Sequence, residues 1–438
     1  LTNVIIYGLL LIALAFFGSP LFSIIGAIAL LSFHAAGIDS SAIIVELYRL
    51  ASAPTLIAIP LFTFGGYMLA ESGTPKRLVG LSQALFGWMA GGLAVVALVS
   101  CAIFTAFTGA SGVTIIALGG LLYPILIQEK YPEKFSLGLL TTSGSLGLLF
   151  PPSLPLILYS MVASNSRTAG GSVPDVSIDK LFAAGILPGI LLVAILSVYS
   201  VRQGMRSRVP KIPFGWSNVG KAMKDAAWEI PLPFLIIGGI YGGWFTATEA
   251  AAVTAFYVLI VEVFVYRDLK LFSDIPRIMK ESMVLVGAIL VILGCAMGLT
   301  NYLIDEEVPM KLFALIQQFI SSKALFLVLL NVFLLIVGMM MDIFSAIIVV
   351  VPLIIPIASA YQVNPLHLGI IFLTNLEIGY LTPPVGLNLF ISSFRFERPV
   401  SEVVKATLPY VGILLLALIV ITYVPQLSLW MVEFLGSK

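Results

Sequence analysis

Long apolar runs, cut by short polar or glycine- and proline-rich interruptions, make up most of the chain. A membrane-crossing helix needs about 20 apolar residues. Runs that reach or approach this length lie at roughly 4–17, 20–33, 54–70, 135–165, 181–201, 231–247, 248–266, 284–304, 366–394 and 407–424, which predicts ten crossings. Two further apolar stretches, 92–127 and 324–359, carry a small-polar break near the middle, at Thr108–Gly112 and Asp342–Ser345. These predict re-entrant helical hairpins that turn back without crossing. By length, residues 1–33 fit one tilted helix or two short ones meeting at Gly18-Ser19-Pro20; the repeat described next favours two.

The pattern repeats. Gly147-Leu148-Leu149-Phe150-Pro151-Pro152 recurs as Gly379-Tyr380-Leu381-Thr382-Pro383-Pro384, 232 residues later, and the same offset pairs Pro124 with Pro356 and Ser160 with Ser392. Slightly upstream an offset of 234 pairs Leu69 with Leu303, Pro75 with Pro309, Leu78 with Leu312 and Ser111 with Ser345. The chain therefore divides into a first repeat at 1–168, a connecting span and basic loop at 169–229, a second repeat at 230–400 and a terminal span at 401–438. The equivalent loops carry opposite charge: Glu71–Arg77 has two basic residues and one acidic, Asp305–Lys311 one basic and three acidic. Because basic loops stay in the cytoplasm, the two repeats are expected to have inverted topology. Secondary transporters commonly use that design, with sites near the midplane at discontinuous helices.

Composition agrees with the pattern. Of 438 residues 60% are hydrophobic and 10% charged, which excludes a water-soluble domain. The net charge of +1 provides no field for nucleic acid, so no nucleic-acid partner is expected. When the hairpins turn back, seventeen of the 23 Lys and Arg fall on one side and six on the other. That places the loop 202–229 in the cytoplasm, both termini outside, and the protein in a bacterial inner membrane. Residues 1–17 lack the basic flank and cleavage site of a secretory signal and read as a mature segment. Cys101 and Cys295 stand in apolar runs without metal-ligand spacing and read as packing residues.

The chemistry concentrates in four breaks. Proline has no amide proton and disfavours helix in the residue before it, so each Pro-Pro enforces unwound backbone with free carbonyls. Sodium suits such oxygens, with half-helix C-termini aimed at it. One sodium site is expected from Thr108, Gly109 and Ser111 with Ser143, Gly144, Ser145 and Gly147. A second is expected from Met341, Asp342 and Ser345 with Asn375, Glu377, Gly379 and Thr382, giving at least two ions and no other cofactor. An anionic substrate group would meet Ser111, Pro151, Pro152, Ser153, Pro383, Pro384, Gly386 and Asn388. Glycine and serine also serve close helix packing in membranes. An acid at membrane depth costs about 2.5–3.5 kcal/mol on insertion scales, which makes Asp342 and Glu377 the harder residues to explain by packing. Glu249 stands where it can cap a helix, and His34 and His367 near span ends read as structural.

The motif Gly379-x-x-Thr382-Pro383-Pro384-Val385-Gly386-Leu387-Asn388-Leu389-Phe390 resembles the large membrane subunit of tripartite ATP-independent periplasmic (TRAP) transporters. So do Phe150-Pro151-Pro152-Ser153, Thr108-Gly109-Ala110-Ser111-Gly112 and Phe245-Thr246-Ala247-Thr248-Glu249-Ala250-Ala251-Ala252. The resemblance implies an all-α polytopic, elevator-type fold and sodium-driven import of small organic acids of the sialic acid or C4-dicarboxylate class. It also implies a periplasmic substrate-binding protein and a small membrane subunit of about four spans. With no span ahead of residue 1, that subunit is expected as a separate chain.

Three other readings compete. A binding-protein-independent sodium/dicarboxylate symporter would have the same repeat design. Gly109-Ala110-Ser111-Gly112 also fits the nucleophile motif of intramembrane serine proteases, which need a histidine at the serine's depth. A channel would leave the midplane acids without a task. The sequence has no G-x-x-x-x-G-K-[ST] loop of an ATP-driven pump.

Overall fold

The computed structural model describes residues 19–39, 54–89, 91–166, 172–207, 213–320 and 322–436, with isolated positions before residue 54. Apart from Leu14, the run at 4–17 lies outside the described residues, as do the basic residues Arg49, Arg167, Arg208, Lys211 and Lys438. Among the described residues the chain is helical throughout, with no strand.

Helix α1 is Leu21–Ala35. Seven helices then follow: α2 (Ala58–Glu71), α3 (Thr74–Phe86), α4 (Gly92–Thr108), α5 (Ser111–Gln128), α6 (Glu133–Ser143), α7 (Leu154–Ser164) and α8 (Ile178–Arg206). An amphipathic helix α9 (Trp216–Asp225) leads to α10 (Pro231–Tyr241) and α11 (Ala247–Val265). The next seven mirror the first: α12 (Asp274–Asp305), α13 (Val308–Phe319), α14 (Lys323–Met340), α15 (Ile343–Ala360), α16 (Pro365–Gly379), α17 (Leu387–Phe396) and α18 (Val400–Tyr423). Helix α19 is Gln426–Gly436. Both hairpins stand where the polar breaks put them, as α4–α5 and α14–α15. Both interrupted spans are present too, as α6–α7 and α16–α17.

Each half is completed by the other. Helix α1 packs on α12 while α11 packs on α2; α18 packs on α6 while α8 packs on α16; α7 lies against α15 and α17 against α5. Two buried tyrosines fasten this exchange: Tyr159 on α7 donates to Pro365 O, and Tyr410 on α18 donates to Phe135 O, both at 2.9 Å. A buried phenol needs such a partner, because an unmet hydroxyl in an apolar interior costs free energy.

The span count differs from the ten read along the chain. Among the described residues, seven helices are long and apolar enough to cross a membrane, or eight with the pair Glu133–Leu149 and Leu154–Ser164, bent by 44°. Three of the seven, Ser111–Gln128, Lys323–Met340 and Ile343–Ala360, are hairpin arms that the ten did not include, and helix breakers shorten several of the other runs. The run at 231–247 is helical only over 11 residues, because Gly242–Gly243 turns the chain, with Gly243 at φ +72°. The run at 366–394 stops at Gly379 and resumes at Leu387. The terminal segment likewise holds two helices, since Pro425 follows α18 and α19 turns back onto α8.

Candidate functional site

At the first hairpin tip, α4 ends on Thr108 and Gly109 follows at φ +66°, a left-handed conformation that glycine adopts without steric cost. A side chain at Gly109 would also run into Leu154. The tip meets the first interrupted span directly: a Cβ on Gly144 would lie 3.2 Å from Ser111 O and closer still to Ile115. Thr105 Oγ1 donates to Gly144 O at 2.9 Å and lies 2.7 Å from Thr114 Oγ1. Ser143 and Ser145 turn their hydroxyls to Leu140 O and Thr142 O within their own loop. Gly147 packs against the backbone of Ala102 and Ala106 on α4. The hydroxyls of Thr108, Thr142 and Ser153 are buried and without a hydrogen-bond partner among the described residues. Buried polar atoms are normally satisfied, so these oxygens call for an explanation. Pro151 and Pro152 are buried, and Pro151 borders an apolar cavity of about 330 Å³ shared with Phe107 and Phe150.

The second tip is built differently. Asp342 is exposed and caps α15: Oδ1 accepts from the amides of Phe344 and Ser345, each at 3.0 Å, and Oδ2 from Ser345 Oγ. Its neighbour Met341 closes α14 with its amide on Val337 O. The tip is held to the second interrupted span by Ile343 N donating to Tyr380 Oη and Gly386 N donating to Met339 O at 3.2 Å. Gly338 and Gly379 touch backbone to backbone, so no larger residue fits where α14 crosses α16. Thr382 Oγ1 returns to Ile378 O at 2.9 Å, while Pro383 and Pro384 are exposed. Asn375 donates to Asn331 Oδ1 at 2.7 Å and to Ile371 O, and these bonds lie apart from the tip. Glu377 is 2% exposed, and its Oε1 has no partner among the described residues. Both Pro-Pro peptides, 151–152 and 383–384, are cis.

One contact joins the two halves at their breaks. Ser111 Oγ donates to Asn388 Oδ1 at 2.7 Å, and Asn388 in turn donates to Thr141 O at 3.5 Å. The first hairpin tip, the first interrupted span and the second thus converge on one fully buried amide.

The profile of the family described as tripartite ATP-independent periplasmic transporter, DctM component, matches residues 7–427. The chain belongs to that family. The C4-dicarboxylate TRAP transporter large permease protein DctM of Pseudomonas aeruginosa is 36% identical over 414 residues, 94% of each chain. The isethionate TRAP transporter permease protein DctMQ of Oleidesulfovibrio alaskensis is 33% identical over 86% of this chain and 58% of its own length. Among solved structures, the YdaH transporter of Alcanivorax borkumensis superposes with a TM-score of 0.63 over 91% of this chain and 88% of that one. At 14% identity that likeness speaks for the fold alone. As a TRAP large permease, the chain is a multi-pass transport protein of the inner membrane, with an all-α polytopic fold built of two repeats.

Several residues escaped the sequence reading. Thr105 stands one turn before Thr108 on α4, and that i, i+3 spacing on an otherwise apolar helix was the available signal. Asn331 and Tyr380 carried none, because each is a lone polar group whose partner lies far off in the chain, and Thr114 meets Thr105 only once the hairpin tip turns back. Glu249 completes a capping box with Thr246 at the start of α11. Ser111 is committed to Asn388, and His367 to Ser428 Oγ and Thr422 O, so neither serves the serine-protease arrangement. His34 lies exposed in the last turn of α1. Cys101 is buried in the core and Cys295 packs on Gly26.

Proposed function

We propose that the chain imports a small organic acid of the C4-dicarboxylate or sialic acid class, driven by sodium and supplied by a periplasmic substrate-binding protein. The observation that carries this reading is the convergence at Asn388, where elements of both repeats present neutral oxygen and nitrogen groups to one buried point. An anion there needs compensating charge, and none of the four breaks contains Lys or Arg. Bound sodium and helix ends supply it.

Site 1 uses the unpartnered hydroxyl of Thr108 and the carbonyls around Gly109, Ser143, Gly144, Ser145 and Gly147, with Ser111 at its edge. Site 2 uses Asp342 and Ser345 at the tip, with Met341, Asn375, Glu377, Gly379 and Thr382 on the facing span. The substrate meets Ser111, Ser153, Gly386 and Asn388 beside the two Pro-Pro turns. The repeats, 1–168 and 230–400, move their hairpins and interrupted spans as one transport domain against the remaining helices. Both termini and the acidic turn at Asp305 face the periplasm, with the loop 202–229 in the cytoplasm. The small membrane subunit binds the static helices.

Reconstitution with the small subunit and the binding protein tests this reading, using labelled sialic acid and C4-dicarboxylates under an inward sodium gradient. Uptake that requires both sodium and the binding protein is expected. Uptake with sodium alone would replace it by a self-sufficient symporter, and no uptake of any acid would remove it.

A further inference from the structure

The second arm of the first hairpin is not a plain α-helix. Residues Ile115–Gly119 wind as a π segment, whereas its counterpart α15 is α-helical over Ile343–Ala360 despite two internal prolines. A π turn leaves a carbonyl without its ordinary α-helical donor, and a backbone carbonyl seeks a replacement. Ile116 O, inside that segment, accepts from Arg395 Nε at 2.9 Å.

Arg395 stands in the last turn of α17, and Asn388 in the first. Helix α17 lies along the hairpin arm between these two points. Asn388 meets Ser111, Ile391 covers Gly112, Phe396 covers Gly119 and Arg395 covers Gly120. A Cβ on Gly120 would sit 1.7 Å from Arg395 Nη2, and one on Gly119 would sit 2.9 Å from Phe396 Cζ. The two glycines therefore admit the guanidinium and the ring. The position 232 residues before Arg395 is Ala163, so the first repeat has no such group against the second hairpin.

We propose that Arg395 is a positioning residue for transport. By holding Ile116 O it fixes the register of α17 on the π-wound arm, and so delivers Asn388 to Ser111 at the opposite end of the same contact. This rests on the reading of Ser111 and Asn388 as substrate-side groups. A charge-assisted hydrogen bond is the stronger kind, and its loss is expected to move affinity by roughly tenfold.

The test uses the full transporter with its partners in proteoliposomes and a labelled C4-dicarboxylate, comparing Arg395→Met, Arg395→Lys and Asn388→Ala. Arg395→Met should raise the substrate KM roughly tenfold at an unchanged sodium half-saturation, and Arg395→Lys, which keeps a donor, should recover most of it. A second readout follows the clamp itself: maleimide labelling of Ile391→Cys, in a background carrying Cys101→Ala and Cys295→Ala, should run several-fold faster with Arg395→Met. A wild-type labelling rate would overturn the clamp whatever Asn388 does. A fall in Vmax alone that tracks the amount of inserted protein would reduce Arg395 to a folding residue and overturn the proposal. Wild-type KM in Asn388→Ala would overturn the substrate-side reading, and with it this role for Arg395, even where labelling reports an intact clamp.

Discussion

The two Pro-Pro breaks share the pattern Gly-x-Leu-x-Pro-Pro and differ in how far the prolines themselves are covered. Residues Ser143–Leu149 and Pro151–Ser160 are buried without exception, whereas Pro383, Pro384 and Val385 are exposed beside an exposed Asp342. The helices that lead into the hairpins differ in the same way. Arg77 on α3 is ion-paired with Glu229, Glu262 and Asp268 and lies 3.7 Å over the Tyr266 ring. Its counterpart on α13, Lys311, is exposed and, among the described residues, has no ion pair, donating instead to Glu306 O. One repeat is locked into protein at both places and the other is open at both.

Removing the lock should have the largest effect. Arg77→Met strands Glu229 and Glu262, which are 6% and 0% exposed, and should destabilise the protein by about 3–5 kcal/mol. Lys311→Met, at the equivalent open position, should change stability by less than about 1 kcal/mol. Thermal unfolding of the purified protein compares the two, and equal losses would erase the distinction between the halves.

The tips give the next effect. Asp342→Ala removes an N-cap together with a proposed ion ligand and should cut sodium-driven uptake roughly a hundredfold while the protein still inserts. Unchanged uptake with unchanged sodium dependence would leave Asp342 as a cap only. Accessibility then reads the asymmetry itself. A cysteine at Val385, whose native side chain is 42% exposed, should label at least tenfold faster than one at Ser153, which is fully buried. Sodium and substrate should narrow that ratio if the two breaks exchange environments, and an unmoved ratio would mark the difference as fixed.

The smallest effect belongs to Glu249. Glu249→Ala breaks the capping box and should cost about 1 kcal/mol in thermal stability with an unchanged substrate KM. A raised KM would bring that helix start into the transport machinery.

Much of this was legible in the sequence because its signals are local. Apolar run length set the helices, and small-polar interruptions set both hairpin tips. The paired Gly-x-x-x-Pro-Pro motifs set the two interrupted spans and the repeat. Each of these depends on backbone chemistry a few residues long, since proline, glycine and a capping Asp act on their own neighbours. Helix lengths were less legible, because glycine and proline shorten helices inside apolar runs, as Gly242-Gly243 does at the end of α10.

What only the tertiary structure decided lies between residues far apart in the chain. Ser111 reaching Asn388 and Arg395 closing on a π turn are set by how α-helices from opposite halves seat against one another, and Thr105 reaching Gly144 O and Asn375 turning to Asn331 by how helices pack within one half. So is the contrast between a buried first break and an exposed second one. In an interior that excludes water each polar group must find a partner, but the sequence states only that it is polar. Which group meets it is settled by packing, because a helix fixes the direction of its own side chains and leaves their neighbours to the fold.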